Sequence, residues 1–445
     1  VASYAGAAPC NGPIDEGTTM VKPGTAAALE ARYQNSFGRA AGYLPRNRRA
    51  VDAWLTQFVA RARQRTAGHV PVVQELAELL ERDKPLRDLV NLMIEQAQQL
   101  DPEHQHKHVR NIEEMLNCLD EITVTAPEYR LDPNERVFFP LSALFCYMMA
   151  TDAGWEAFRN EPFNDALRKI LTVWCGFLDS PESRYVLNEG PDGWLCQAAS
   201  EQNKLYEFVI PDPGALYGGF ASFNAFFHRH IKPEFRPNGA KEDPKAVVSP
   251  NDGSVVRYVS DVQLDADIFD VKGQPYSLRR MLNGYADTER FTGGDVFQSF
   301  LSGADYHRWH APVDGVVKHV ELVPGLMFSE LKMEKVDESA GTLSQGYQAN
   351  VNTRGLVVIE STTPGIGQVC VIPVGITEIS SVRFSVSVGD EVTRGDELGY
   401  FSYGGSSMCL VFEPGKVGFT VPGNTIEHAD DGAPVFVNGR IATAK

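Results

Sequence analysis

Hydrophobic residues change their spacing part-way along this chain, and that change constrains the fold more than any other feature. From about Ala26 to Tyr206 they recur every three or four positions, as in Val51-Asp52-Ala53-Trp54-Leu55-Thr56-Gln57-Phe58-Val59 and Val72-Val73-Gln74-Glu75-Leu76-Ala77-Glu78-Leu79-Leu80. That is the period of an amphipathic helix. Beyond Pro244 they form short β-branched runs, such as Ser254-Val255-Val256-Arg257-Tyr258-Val259 and Gly315-Val316-Val317-Lys318-His319-Val320, bounded by Gly, Pro and Asp-Gly. Those runs read as strands. Helices first and strands later predict an α+β protein, with a helical domain over 25–206, a Pro-rich linker and connecting segment over 207–244, and a β-rich domain over 245–445. Residues 1–24 are rich in Ala, Gly and Pro without the apolar core of a signal peptide, and read as a flexible arm. The most apolar run, Val137 to Ala150, contains Pro140 and is too short to span a bilayer, so it reads as a core helix.

Charge and cysteine usage narrow the partners. Lys and Arg number 41 against 58 Asp and Glu, a formal net charge of −17, which repels phosphate backbones and anionic lipid surfaces. Neither a nucleic-acid partner nor a stable membrane anchor is expected. The seven cysteines are odd in number, scattered and without a CxxC pair, which fits a reduced, cytoplasmic setting. Nothing in the sequence sets an oligomeric state.

Three stretches could carry chemistry. Tyr403-Gly404-Gly405-Ser406-Ser407 lies between two apolar segments and by composition reads as a hairpin turn. Its functional reading is a strained Gly-Ser bond. The Ser406 hydroxyl would attack the Gly405 carbonyl, the amide would become an ester, and elimination and hydrolysis would leave a chain that begins with a ketone made from Ser406. Asp305-Tyr306-His307-Arg308-Trp309-His310 sets two histidines three apart, which suits a hydrogen-bonded structural pair or half of a zinc site in a hydrolase. Asp252, in Pro250-Asn251-Asp252-Gly253, is either a turn residue or an acid at the start of a strand.

Other signals carry less. Phe297, Phe300, Tyr306 and Trp309 either line an aromatic substrate pocket or pack the core. His104, His106 and His108 alternate and so face different sides of a helix, and Cys409 reads as a small core residue. Val386 to Gly399 resembles the hairpins of biotinyl and lipoyl carrier modules, yet no lysine stands at the expected turn.

Taken in order, Pro250-Asn251-Asp252-Gly253, Asp305-Tyr306-His307-Arg308-Trp309-His310 and Gly404-Gly405-Ser406-Ser407 resemble the signature of phosphatidylserine decarboxylases. Phe226-Phe227-His228-Arg229, Arg236-Pro237, Lys272-Gly273, Pro312-Val313-Asp314-Gly315, Val323-Pro324-Gly325 and Gly375 near Glu378-Ile379 extend the likeness over nearly all of the second half. The resemblance implies a pyruvoyl group derived from Ser406 after cleavage at Gly405, with neither pyridoxal phosphate nor a metal. It also implies that Asp252 and His310 form a triad with Ser406 for self-cleavage, and that His307 serves the decarboxylation. The partners would then be the chain's own two fragments and a small amino acid. In the first half, Thr151-Asp152-Ala153-Gly154-Trp155, Phe177-Leu178-Asp179-Ser180 and Gly193-Trp194-Leu195 resemble the helical extension of the fungal L-tryptophan decarboxylases of psilocybin biosynthesis. That branch implies a soluble aromatic L-amino acid, tryptophan first, with phosphatidylserine as the alternative substrate.

Overall fold

The computed structural model describes residues 48–445, apart from 101–108, 133–136, 138, 150, 270–274, 304, 332–339, 377, 379–380 and 424–431. The expected arm, the three histidines between 104 and 108, Lys272-Gly273 and Ile379 lie outside the described residues. Helices occupy the first half: α1 (Arg48–Arg63), α2 (Pro71–Arg82), α3 (Lys84–Leu100), α4 (Ile112–Ile122), α5 (Pro140–Met149), α6 (Asp152–Ala157), α7 (Glu161–Leu178) and α8 (Gln197–Gln202). Their starts follow from short polar residues. Asn111, Thr151 and Asn160 accept the N–H groups of Glu114, Gly154 and Phe163, satisfying donors that a helix cannot pair internally. The stripes legible in sequence face inward, with Val51, Leu55, Phe58 and Val59 of α1 and Val72, Val73, Leu76, Leu79 and Leu80 of α2 all buried. The apolar run around residue 140 is the core helix α5.

The connecting segment is not a free linker. Phe220, Phe223, Phe226 and Phe227, three of them on α9 (Phe223–Phe227), bury themselves in the core of the helical half. Met327, Phe328 and Tyr403 from the β-rich half join the same core. The two halves therefore meet across a continuous apolar seam.

The second half supplies β1 (Ala246–Val248), β2 (Gly253–Val262), β3 (Gly294–Leu301), β4 (Arg308–His310), β5 (Gly315–Val323), β6 (Arg354–Ser361), β7 (Gln368–Ile376), β8 (Val382–Phe384), β9 (Glu391–Val392), β10 (Glu397–Phe401), β11 (Gly405–Phe412), β12 (Val417–Phe419), β13 (Pro434–Val435) and β14 (Arg440–Ala444). The main sheet runs β13-β2-β3-β11-β7-β6-β5-β9, and its described pairings are antiparallel. Strand β11 sits inside it, covered on both faces. Met408, Leu410 and Phe412 enter one core with Trp309, Leu398 and Phe401, whereas Cys409 and Val411 enter the other with Leu278 and Met281 of α10 (Leu278–Met281) and Ala349 of α11 (Ala340–Val351). Period-two alternation produces that division, and burial on both faces explains why β11 is apolar from Met408 to Phe412. Cys409 is a core residue, as expected.

Candidate active site at a buried Gly-Ser bond

Gly405 opens β11, so the Gly-Ser bond lies in an interior strand and not in a hairpin turn. Ser406 is registered with Leu301 of β3 and Gly375 of β7. The turn reading from composition is thus corrected by long-range pairing, and with it the idea of an exposed carrier-type turn. Gly404, just before the strand, has φ 140°, a conformation that costs a residue with a Cβ.

The two neighbouring serines are in opposite states. Ser406 is fully buried and its Oγ has no hydrogen-bond partner among the described residues. Ser407, on the other face, donates to the Ser299 carbonyl at 2.9 Å, lies 3.2 Å from Gln345 Oε1 and accepts from Gln298 Nε2 at 2.8 Å. Gln298 is held in turn by the Tyr276 hydroxyl at 2.5 Å. A hydroxyl in such a network is tied down, while an unpartnered one keeps both its proton and its lone pairs available.

His307 is buried with its ring stacked on Phe227 at 3.9 Å, and neither ring nitrogen meets a partner in hydrogen-bonding geometry. Burial, only partly opposed by the Asp305 backbone and reinforced by the charges of Arg229 and His228, pushes its pKa down to about 3. Phe227 also meets Tyr403 at 5.1 Å, and Tyr403 packs on Phe223 and Trp174 from the helical half. The Tyr403 N–H donates to Asn224 Oδ1 at 3.0 Å, while its hydroxyl is buried without a partner. The helical half thus grips the chain three residues before Ser406. Glu378 adds a second tie, accepting the N–H groups of Leu141 and Ser142 at the start of α5 at 2.6 and 2.9 Å.

His310 places Nδ1 2.8 Å from the Gly395 carbonyl and Nε2 3.2 Å from the Tyr306 hydroxyl. A carbonyl only accepts, so Nδ1 carries the proton and Nε2 presents its lone pair. Burial lowers the His310 pKa, which keeps the ring neutral and basic at that nitrogen. Asp252 is clamped by Arg236, whose Nε lies 3.0 Å from both carboxylate oxygens, and it also accepts the Val437 N–H at 2.8 Å. Arg236 continues to Glu207 at 3.1 Å. The hydrogen bonds of an Asp252-His310-Ser406 triad are not formed in this structure, although the Asp252 charge acts on His310 and the backbone N–H of His310 donates to the Pro250 carbonyl at 2.8 Å. Gly253 must be glycine, because a Cβ there would lie 2.1 Å from the Phe300 carbonyl oxygen.

The aromatic candidates separate. Phe297 packs on Phe419, and Trp309 packs on Phe384 and Phe401 beneath Gly399; both belong to the core on Ser406's side of the sheet. Phe300 belongs to the core on the Ser407 side, and Tyr306 is the partner of His310. Sequence reading gave no role to Phe227, Arg229, Tyr403, Gln298 or Gln345. Arg229 is buried with its guanidinium 3.9 Å from the Phe208 ring centroid and 4.6 Å from that of Phe226, its Nε unpartnered, and burial lowers its pKa to about 9.

Phosphatidylserine decarboxylase family models match residues 223–430 and 70–203. Decarboxylase iboD of Amanita muscaria is 37% identical over 322 residues, covering 66% of this chain and 92% of that protein. The chain belongs to the phosphatidylserine decarboxylase family. The L-tryptophan decarboxylase of Psilocybe cubensis is 34% identical, with 68% of this chain and 72% of that protein aligned. Phosphatidylserine decarboxylase proenzyme 3 of Schizosaccharomyces pombe is 33% identical over 48% of this chain and 21% of its own length. Members of this family are pyruvoyl-dependent carboxy-lyases, and this chain is a decarboxylase. The residues present fit a serine-derived group, since Ser406 is fully buried and, among the described residues, free of competing hydrogen bonds. Among the described residues no helix is long and apolar enough to cross a membrane.

Proposed function

We propose that this chain cleaves itself between Gly405 and Ser406 and uses the resulting pyruvoyl end to decarboxylate a small aromatic L-amino acid, with tryptophan the first candidate. The observation that carries the reading is the contrast between the two serines, with Ser406 unpartnered and Ser407 locked. In self-cleavage His310 Nε2 takes the Ser406 proton, and the Asp252 charge favours the imidazolium that forms. Ser406 Oγ bonds to the Gly405 carbonyl carbon while the Gly405–Ser406 C–N bond breaks, leaving an ester and a free amine. Removal of the Ser406 Cα proton then breaks the ester C–O bond, so that Gly405 departs as a carboxylate. Water replaces nitrogen on the dehydroalanine left behind, and ammonia is released.

The pyruvoyl ketone supplies an electron sink for the pair released with carbon dioxide. His307, neutral because it is buried, offers no ion pair to hold the substrate carboxylate back, and its stack with Phe227 keeps water away. The aromatic substrate is supported by the Psilocybe cubensis relative, whose name is that of an L-tryptophan decarboxylase, and by rings of Phe227, Tyr403 and Phe223 near the site.

Intact-mass analysis of fresh protein, with and without borohydride reduction in the presence of tryptophan, tests the proposal. Two chains split before Ser406, the shorter trapping tryptophan-derived amine, are expected. A single chain that traps nothing overturns it, and trapping of phosphatidylserine instead of tryptophan corrects the substrate.

A further inference from the structure

We infer that Arg308 is a positioning residue for His307, which holds the Phe227 ring over that imidazole by bridging Glu397 to the His228 carbonyl; its bearing on decarboxylation rests on the reading proposed above. Arg308 follows His307 in sequence, and its guanidinium works in two directions. Nε donates to the His228 carbonyl at 2.7 Å, and Nη1 donates to both carboxylate oxygens of Glu397 at 2.8 and 2.9 Å. His228 in turn follows Phe227, whose ring stacks on His307 at 3.9 Å. Covalent links, a hydrogen bond and a ring stack thus close a loop through His307, Arg308, His228 and Phe227.

The far end of the bridge is fixed to the sheet. Glu397 opens β10, where it is registered with His310 of β4, and it accepts the Ser385 hydroxyl at 2.7 Å. Tyr400 of β10 has the Arg308 guanidinium 4.9 Å from its ring centroid and the His228 ring at 4.6 Å. The Phe401 N–H donates to the His307 carbonyl at 2.9 Å. Arg308 is buried, so this charged and hydrogen-bonded pair holds more firmly than one on the surface. The bridge matters because neither ring nitrogen of His307 has a hydrogen-bond partner among the described residues. Packing by Phe227 therefore keeps the imidazole in place and water away from it. The charges that act on His307, those of Arg229 and His228, ride on the same segment as Phe227. Releasing that segment would wet the ring and raise its pKa from about 3 towards the ordinary histidine value.

The test places Arg308→Gln, Arg308→Lys and Phe227→Leu in the uncleaved Ser406→Ala chain. Histidine-labelled protein is followed by NMR from about pH 8 to about pH 5, with His307 assigned by the signal lost in His307→Asn. With Arg308 intact, His307 should stay neutral throughout. Both Arg308 variants should bring its titration into that range, lysine as well as glutamine, because lysine keeps the charge without the planar fork that serves two acceptors. Phe227→Leu should do the same, and Arg308→Gln should then add little, since residues that act through one contact are not additive. In self-cleaved enzyme the Arg308 variants should lower kcat about 10- to 100-fold and leave KM little changed, as expected when a reacting group is misplaced. His307 that titrates with Arg308 intact, stays neutral in either Arg308 variant, or shifts additively with Phe227→Leu overturns the inference. An uncleaved and inactive wild-type chain would instead sink the decarboxylase reading, while the titrations, which need no activity, still report on Arg308.

Discussion

Replacing Ser406 and Ser407 in turn separates the chemical role of the first from the structural role of the second. Ser406→Ala removes a hydroxyl that makes no hydrogen bond, so it should fold, remain a single chain and be no less stable than its precursor. Ser407→Ala deletes the group that accepts from Gln298 and donates to the Ser299 carbonyl. It leaves one buried amide N–H without a partner and one carbonyl short of a donor, at roughly 1–3 kcal/mol for each unsatisfied group, or about 2–6 kcal/mol together. With a urea dependence of about 2–3 kcal/mol per molar, the unfolding midpoint should fall by roughly 1–2 M. The comparison is made between Ser406→Ala and Ser406→Ala/Ser407→Ala, both expected to stay uncleaved, so that chain number does not confound the transition. Cleavage of the single Ser407→Ala variant is followed by denaturing gel and intact mass, and the shorter fragment should still begin at position 406. Cleavage of Ser406→Ala, equal stability of the single and double variants, or a folded Ser407→Ala chain that never cleaves would refute the reasoning.

Arg236→Gln releases the Asp252 carboxylate from its clamp and should slow self-cleavage by about tenfold or more through misplacement of that charge, with Arg236→Lys recovering only part because it lacks the bidentate fork; time courses of fragment formation read this out. The lowered pKa values of His307 and His310 mean that the folded chain binds fewer protons than the unfolded chain below about 6.5. Their contribution to stability is present above that value and lost as pH falls towards 3, so melting temperatures should drop between pH 6.5 and 4, less steeply in His307→Asn. Glu330 has the opposite sign, because a carboxyl raised to about 7 binds its proton more tightly when folded and loses that stabilisation as pH rises from 4.5 through 7. Glu330→Gln should therefore gain up to about 3 kcal/mol at pH 8 and almost nothing at pH 4, measured by urea unfolding.

What was legible in the sequence was whatever depends on neighbours along the chain. The stripes of α1 and α2 and the β-branched runs of β2 and β5 follow from local period alone. The state of Gly404-Gly405-Ser406-Ser407 does not, since glycine and serine favour turns locally and only pairing with β3 and β7 makes β11 a strand. The same limit hid the partner of Asp252, because Arg236 was visible only as part of an Arg-Pro pair and its reach to Asp252 and Glu207 is a matter of tertiary packing. Proline in the 207–244 segment marked it as a linker and connecting segment. A signal to the contrary was present, since Phe220, Phe223, Phe226 and Phe227 stand three and four apart and so share one face.

The distribution of unsatisfied groups indicates what the helical half contributes to the chemistry. His228 Nδ1, Arg229 Nε, both His307 nitrogens, the Tyr403 hydroxyl and Ser406 Oγ are buried without partners among the described residues, and the Phe227 ring joins His307 to Tyr403. Elsewhere some buried polar groups are satisfied, as with Asn164 on the Phe158 and Met327 carbonyls or Asp120 on the Val70 N–H and His69, while others, such as Arg168 Nε and Asn203 Nδ2, lack a partner among the described residues. Keeping these atoms free requires that water be excluded, because a single water could satisfy several of them and compete with both attack on Gly405 and departure of a carboxylate. The exclusion comes from Phe223, Phe227 and Trp174, and it is fastened by Asn224 on Tyr403 and Glu378 on α5. On this argument the helical half belongs to the reacting site as its dry wall, and loosening either tie should impair cleavage before it unfolds the sheet.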